Sequence, residues 1–583
     1  MFILPAALTA ALMCTSCNSE NVLTAEAAPE IILDNPDGVY DVTVGGELTI
    51  APQYLNDEGA TYRWTIDGVE AGNAPTFTHR WMEQGEFYVD ITVTTTAGRV
   101  TEELRVDVLE AGTPYISFPF AGDEVTIALG TEYVLTPDVA NSSAGNVTMT
   151  WQVGDQPAFE SGALHFQAEQ TGSFDISCTT VNSAGTDTRT FTINVVEHLP
   201  YRLSFPQLSY FQPSTTRYTF VGRPVGLRPV MSQLDGTSFV WTVDGSAVGC
   251  TSRTFIFTPD KPGEYNISVT VDDKATASVV VICVDASEQS RRRPASASSS
   301  PMSNKVYEWV PAPGQFIGET QTGGMTGTEN TPEAAASWAQ QRLEAQNFVS
   351  LGAFGGYIIV GFDHSISAGS SDYDFAILSN ALRTSAGNSI SNEPGIVSVS
   401  QDVNGNGLPD DGWYELRGSE TGTASAYADY AVTYVRPAAP KMNVPWSDNR
   451  GNSGSVDYMP SFHHQDYYYP AWIEADSYTL SGTCLTARTS QDPVTGFWAT
   501  GAFGWGYVDN IGSDEIARDN TPNGNLQRTG FRIANAMLPD GTPVALSYID
   551  FIRVQTGVNS KAGWLGELST EVLGFQDYTM IGK

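Results

Sequence analysis

The chain has 583 residues, with 29 basic and 66 acidic side chains and a net charge of −37 at pH 7. That balance repels nucleic acid and anionic lipid headgroups, and suits calcium and a life outside the cytoplasm. The length calls for several domains; plentiful Gly, Thr, Ser, Tyr and Val with little helical periodicity point to an all-β chain of many short strands.

Residues 1–17 read as a leader. The apolar run at residues 2–13 is too short to span a bilayer and has the size of a signal-peptide core. No Lys or Arg precedes it, so either the leader is atypical or the true start lies upstream. Thr15-Ser16-Cys17 resembles the lipobox of bacterial lipoproteins, in which small residues let a peptidase reach the bond before a Cys that is then acylated. Cys14 stands where Leu is usual, and an ordinary secretory leader is the alternative. A lipid on Cys17 is the expected sole membrane anchor, with residues 18–28 as a tether.

Three repeats follow, at residues 29–110, 111–197 and 198–285. Trp64, Trp151 and Trp241 recur at a period of about 90 residues, and each is followed by an alternating strand led by Gly85, Gly172 or Gly263. Each unit also has an upstream Gly-to-Pro segment, such as residues 46–52. A central Trp among alternating strands describes an Ig-like sandwich, with Phe87, Val89 and Ile91 sharing one face. The W-x-(I/V)-(D/G) strand and the later G-x-(F/Y) strand resemble PKD domains, a family of surface-protein spacers. That resemblance implies a stalk without catalysis. Cys250 and Cys283 share the third repeat, and either pair in an oxidising setting or stay as isolated thiols.

Residues 286–305 are rich in Ser and Pro and read as a flexible joint, with the basic run 291–293 solvated or open to proteases. The rest, residues 306–583, reads as one larger jelly-roll-like β-sandwich with long loops. It has one short helix: Thr331 as N-cap, Pro332 at the first position and Glu333 at the positive end, running to about residue 346.

Within this domain, Asp402, Asn404, Asn406 and Gly407 fall at positions 1, 3, 5 and 6 of an acidic calcium loop, and Asp410 at position 9. Trp413 stands where a bidentate Glu belongs, so Asp411 or Glu415 would complete the shell. A bare polar turn between strands is the alternative. Residues 446–505 carry an aromatic cluster broken by Pro and Gly: Trp446, Tyr458, Phe462, His463, His464, Tyr467, Tyr468, Tyr469, Trp472, Phe497, Trp498 and Trp505. Long aromatic loops on a β scaffold build ligand platforms, and about half of such rings are expected in the core. The expected anchors are Trp446, Tyr468 and Trp498, with Tyr467 and Tyr469 as the alternative set, and the repeats contribute nothing to affinity. The His pair is expected to make loop hydrogen bonds rather than hold metal.

Neither a G-x-S-x-G nor an H-E-x-x-H motif occurs, so no enzyme is expected. A glycosidase-type carboxylate pair would come from Asp363, Asp372, Asp374 or Glu393, each of which also suits a turn or a cation shell.

The segments PAPGQFIGE, GGYIIVGFDHSI, DYDFAIL, NEPGIVSVSQDVNGNGLPDDGWYEL, HHQDYYYPAWI and DFIRVQTGVNSKAGWLGELSTEV are similar to those of a Bacteroidetes cell-surface lipoprotein family. Members accompany outer-membrane vitamin B12 uptake systems, and some bind cobalamin. The resemblance implies a lipid-anchored protein of the outer-membrane surface. It would capture cobalamin or another corrinoid and partner a TonB-dependent transporter. Two alternatives stay open: a carbohydrate-binding or carbohydrate-cleaving surface protein, whose glycan would stack on the same aromatics, and a structural or adhesive protein.

Overall fold

Each repeat closes around its tryptophan. In the computed structural model Trp64, Trp151 and Trp241 are fully buried. Their indole Nε1 groups donate to backbone carbonyls ten or eleven residues on: Ala74 at 2.9 Å, Ser161 at 3.1 Å and Ser252 at 2.9 Å. The sole polar atom of each large ring is thereby satisfied inside an apolar core. The structure describes residues 27–581 except 36, 111, 142–146, 370–371, 384–388, 460–462, 494–495 and 520–525. The leader, Cys14, Cys17 and Phe462 lie outside the described residues. Among the described residues no helix is long and apolar enough to cross a membrane.

The first repeat has a five-stranded sheet in the order Val39–Thr43, Arg99–Leu109, Gly85–Thr94, Thr61–Ile66, Val69–Gly72. The other repeats keep this order, opening with Glu124–Ala128 and Arg217–Thr219. In all three the opening strand pairs parallel with the last strand of its repeat. Short pairs such as Glu47–Ile50 with Phe77–Arg80 form the facing layer, and Phe77 stacks on Trp64 at 5.0 Å. Val89 and Ile91 are buried and Phe87 packs against them, as the alternation requires. Asp67-Gly68 and Asp244-Gly245 both take positive φ at the two turn positions, which matches the hairpin to the twist of its strands. This is the Ig-like plan.

Among the described residues the C-terminal domain is built on three larger antiparallel sheets, with two-stranded pairs beside them. Its central sheet runs Lys305–Val310, Tyr357–Ser367, Tyr548–Thr556, Gly395–Ser400, Tyr414–Leu416, Ala536–Met537. Gly395–Ser400 is buried along its whole length, as a strand covered on both faces is. One four-stranded sheet holds Phe375–Ser379 and Gly574–Asp577; the other holds Ala426–Val435 and Ser477–Leu485. One apolar core joins all three sheets. The helix Pro332–Glu344 starts where the capping signal places it: Thr331 Oγ1 accepts from the Ala334 amide at 3.2 Å. Its Trp338 stacks on Trp309 at 4.9 Å.

One expectation needs correction, and one open alternative is decided. Residues 286–305 form a strap laid on the C-terminal domain rather than a loose joint. A short helix, Glu288–Arg291, opens it; Arg292 then bonds Ser367 Oγ at 2.7 Å, and Arg293 pairs with the buried Asp550 at 3.0 Å. Arg292 and Arg293 of the basic run are therefore spent on specific partners. Cys250 and Cys283 do not pair; with Cys178 and Cys484 they are free thiols.

Candidate functional site

The strap, the third repeat and the C-terminal domain meet at one junction, and the Asp/Asn loop sits in it. Gly405 and Gly407 both take φ near +77° (77° and 76°), which folds residues 402–411 tightly. Asp402 Oδ2 accepts from the Gly407 amide at 3.0 Å, and Asp411 Oδ1 from the Asn404 amide at 3.0 Å. The Asn404 and Asn406 side-chain amides donate to the two oxygens of Asp410, at 3.0 and 2.9 Å. That leaves Asp402 Oδ1 and Asp411 Oδ2 buried without a partner. Burial pushes Asp411 up to about 8, and the charges of Asp410 and Asp402 push the same way. Buried, mutually repelling carboxylates favour a cation.

The two residues considered for closing the loop lie in different places. Asp411 is inside the loop, whereas Glu415 accepts from Thr483 Oγ1 at 2.7 Å and lies away from it. Trp413, at the usual Glu position, lies 4.8 Å from the guanidinium of Arg553. The loop is wired to its surroundings. The Asp402 amide donates to Asp550 Oδ2 at 2.9 Å, the Tyr218 amide to the Asp411 carbonyl at 3.2 Å, and Arg291 lies against Gly405.

Around the loop, third repeat and C-terminal domain exchange buried polar bonds. Arg223 pairs with Glu288 at 2.7 Å and also reaches Gln401. Arg228 and Arg253 both pair with Asp429, at 2.8 and 3.1 Å. The Phe211 amide donates to Glu308 Oε1 at 2.9 Å, and the Tyr210 amide to Tyr357 Oη at 2.9 Å. Two clefts open along this seam. One, of about 660 Å³, is lined by Phe220, Arg223, Glu288 and Pro543; the other, of about 640 Å³, by Phe205, Tyr210, Tyr357, Leu480, Arg553 and Gln555. Arg217 lies behind the wall of the second, donating to the carbonyls of Thr215 and Pro206 at 2.8 and 2.7 Å; burial, and then the charge of Arg553, hold it down at about 10. The third repeat thus lines both clefts. Sequence reading missed Arg217, Arg223, Arg228 and Arg553, since scattered arginines carry no motif.

The aromatic cluster divides between core and surface. Tyr468, Tyr469 and Trp472 are buried, with Trp472 Nε1 donating to the Trp309 carbonyl at 3.3 Å and Tyr469 Oη to the Ala475 carbonyl at 2.6 Å. His463 is buried edge-on against Phe316 at 4.8 Å. Tyr458 is half-buried, 5.1 Å from Tyr468. Trp446 packs across its strand pair on Gly454, and Trp498 against Gly563. Tyr467 and Trp505, each 38% exposed, Phe497 and the imidazole of His464 offer open rings among the described members. Three sheets sharing one core need more large rings than a single sandwich does, and this stretch supplies them.

The four carboxylates considered for hydrolysis lie in unlike settings. Asp363 accepts from His364, which also bonds Asp577; Asp374 takes the Gly369 and Ile533 amides; Asp372 is exposed; Glu393 lies in a buried carboxylate group.

A family profile described as a PKD-like domain matches residues 28–95 and 205–273, that is, the first and third repeats. No curated protein matches the chain. Among solved structures, the immunoglobulin domains 1–5 of Sidekick-1 align at 15% identity over 44% of this chain and 59% of that one, with a TM-score of 0.16. The N-terminal four Ig domains of Dscam1 isoform 6.44 align at 13% identity over 49% and 84%, with a TM-score of 0.23. Fibronectin(III)-like modules of Clostridium thermocellum CbhA align at 12% identity over 28% and 94%, with a TM-score of 0.19.

Proposed function

We propose that the chain is a non-catalytic surface protein whose Ig-like repeats carry a capture head. The head is the third repeat and the C-terminal domain together, fixed by calcium at Asp402, Asn404, Asn406, Asp410 and Asp411. The observation that carries this reading is the junction itself. There two buried carboxylate oxygens lie unpartnered in a loop that holds the third repeat, the strap and the central sheet at once. A calcium ion at that loop would supply the missing partner for both and stiffen the seam.

The lipid on Cys17 would tether the chain to the outer membrane. The captured ligand, on the strength of the C-terminal motifs, is cobalamin or another corrinoid, passed to a TonB-dependent transporter. The open rings Tyr467, Phe497 and Trp505 and the seam clefts are the surfaces available to it. Calorimetry of the whole chain with cyanocobalamin tests the ligand. Saturable heat at micromolar protein is expected, and a folded chain that gives none overturns the corrinoid reading. Binding to a glycan panel instead would move the function to carbohydrate capture.

A second reading, adhesion without a small ligand, is favoured by the PKD-like matches at the first and third repeats. Binding of the chain to cells or matrix, with no small molecule bound in either screen, would select it.

A further inference from the structure

Away from the junction, three carboxylates from distant parts of the chain meet inside the C-terminal domain. Oxygens of Glu393, Asp509 and Glu571 lie within 4.8 Å of one another. Asp509 and Glu571 are 1% and 4% exposed. Backbone amides hold two of the three carboxylates in place. Glu393 Oε1 accepts from the Ser569 amide at 3.1 Å, and Asp509 Oδ2 from the Glu571 amide at 3.0 Å. Asp509 Oδ1 accepts from the Asn380 amide at 3.3 Å, and the Glu393 amide donates to the Asp509 carbonyl at 2.9 Å. Glu571 Oε1 is buried and has no partner. Nearby Glu567 takes the Gln315 amide on Oε1 at 2.8 Å and leaves Oε2 buried and unpartnered.

The charges these groups feel are those of one another and of Glu567, with no compensating cation among them. Buried carboxylates are tolerated when paired, protonated or bound to metal. One shared proton would still leave charge on three acids, and the backbone amides that hold Glu393 and Asp509 favour their ionised forms. The spacing suits an ion: at oxygen distances of about 2.4 Å, opposite ligands on calcium stand about 4.8 Å apart.

We infer that Glu393, Asp509 and Glu571 hold a hard divalent cation of the calcium class, independent of the loop at residues 402–411. It would staple the segment before strand Gly395–Ser400 to residue 509 and to strand Glu571–Val572. Such a buried ion is acquired during folding and leaves slowly.

The test uses the whole chain carrying Asp402→Ala, which removes the loop site. After calcium loading and gel filtration, elemental analysis is expected to find one divalent ion per chain. Adding Glu571→Gln should cut that content at least tenfold while circular dichroism stays folded. Should Glu571→Gln fail to fold, Glu393→Gln at the half-exposed member replaces it, with the same loss expected. The inference is overturned if the folded Asp402→Ala chain retains no divalent ion and melts identically with calcium, magnesium, manganese or chelator. It is equally overturned if the ion content survives both Glu→Gln changes.

Discussion

Arg228 of the third repeat and Asp429 of the C-terminal domain form a forked ion pair. Arg228 Nε lies 3.2 and 2.9 Å from the two carboxylate oxygens, and Nη2 2.8 Å from Oδ2. Arg253 adds a second guanidinium to the same carboxylate at 3.1 Å. Asp429 is thus the acceptor on which two cations of the repeat converge. Removing it leaves both partly buried and unpaired. Asp429→Ala should cost about 2–3 kcal/mol at the seam, the range for hydrogen bonds to charged groups. Arg253→Ala alone should cost less. Denaturant unfolding of the whole chain measures both.

The pH dependence of the seam has two opposed parts. Burial raises Glu288, but Arg223, Gln401 and the Ser547 amide outweigh it and hold the carboxyl at about 2. Its stabilising share is present above the unfolded value of about 4.3 and is lost as pH falls through about 2. Asp411, pushed up to about 8 by burial, acts the other way. In metal-free protein it keeps its proton when folded, so its share is greatest below the unfolded value of about 3.9 and shrinks as pH rises towards 8. Calcium competes with that proton. The rise in melting temperature caused by calcium should therefore be larger at pH 8 than at pH 6, with proton release visible by calorimetry in two buffers. An equal rise at both pH values would remove Asp411 from the shell.

The three repeat tryptophans should behave alike, because their burial and hydrogen bonds match. Replacing any one by Ala is expected to cost about 3–5 kcal/mol in its own repeat. Trp241→Ala should differ in one respect: it should also loosen the head, since the third repeat packs on the C-terminal core through Tyr210 and Phe211. Differential scanning calorimetry separates the cases. Trp64→Ala should leave the head transition unmoved.

Within the aromatic stretch, Trp472→Ala should destabilise the head by about 3–5 kcal/mol, whereas Tyr467→Ala and Trp505→Ala should stay within about 0.5 kcal/mol. Ligand binding by the last two variants then reports on recognition, free of folding effects. Undiminished binding in both would send the search to the seam clefts.

The repeats were legible because a period, a buried Trp and a Gly-led strand are local signals. The helix was legible because Thr331, Pro332 and Glu333 write its start within three positions. The loop at 402–411 was legible as a tight acidic turn, but whether Asp411 or Glu415 lies inside it depended on where they point in space. The strap was misread. Ser and Pro say that a segment buries no core, yet they say nothing of Arg293 reaching Asp550 across 257 positions. In the aromatic stretch a division between core and surface was legible, but not which ring goes where: Tyr468, an expected anchor, is fully buried. Pro and Gly mark loops, but loops that cross a three-sheet domain can turn their rings inward. Glu393, Asp509 and Glu571 carry no shared spacing at all, so only the fold could bring them together.

The central claim, a calcium-fixed junction, has a reporter of its own. Arg291 and Arg292 are trypsin sites in the strap, Arg293 being blocked by the following Pro294, and Arg291 lies against Gly405 of the loop. The measurement is the rate of tryptic cleavage at these positions in the whole chain, with calcium at about 1 mM or with chelator. Cleavage at least tenfold slower in calcium is expected, with the protection abolished by Asp402→Ala. Equal rates with calcium and chelator in the unsubstituted chain would contradict the account.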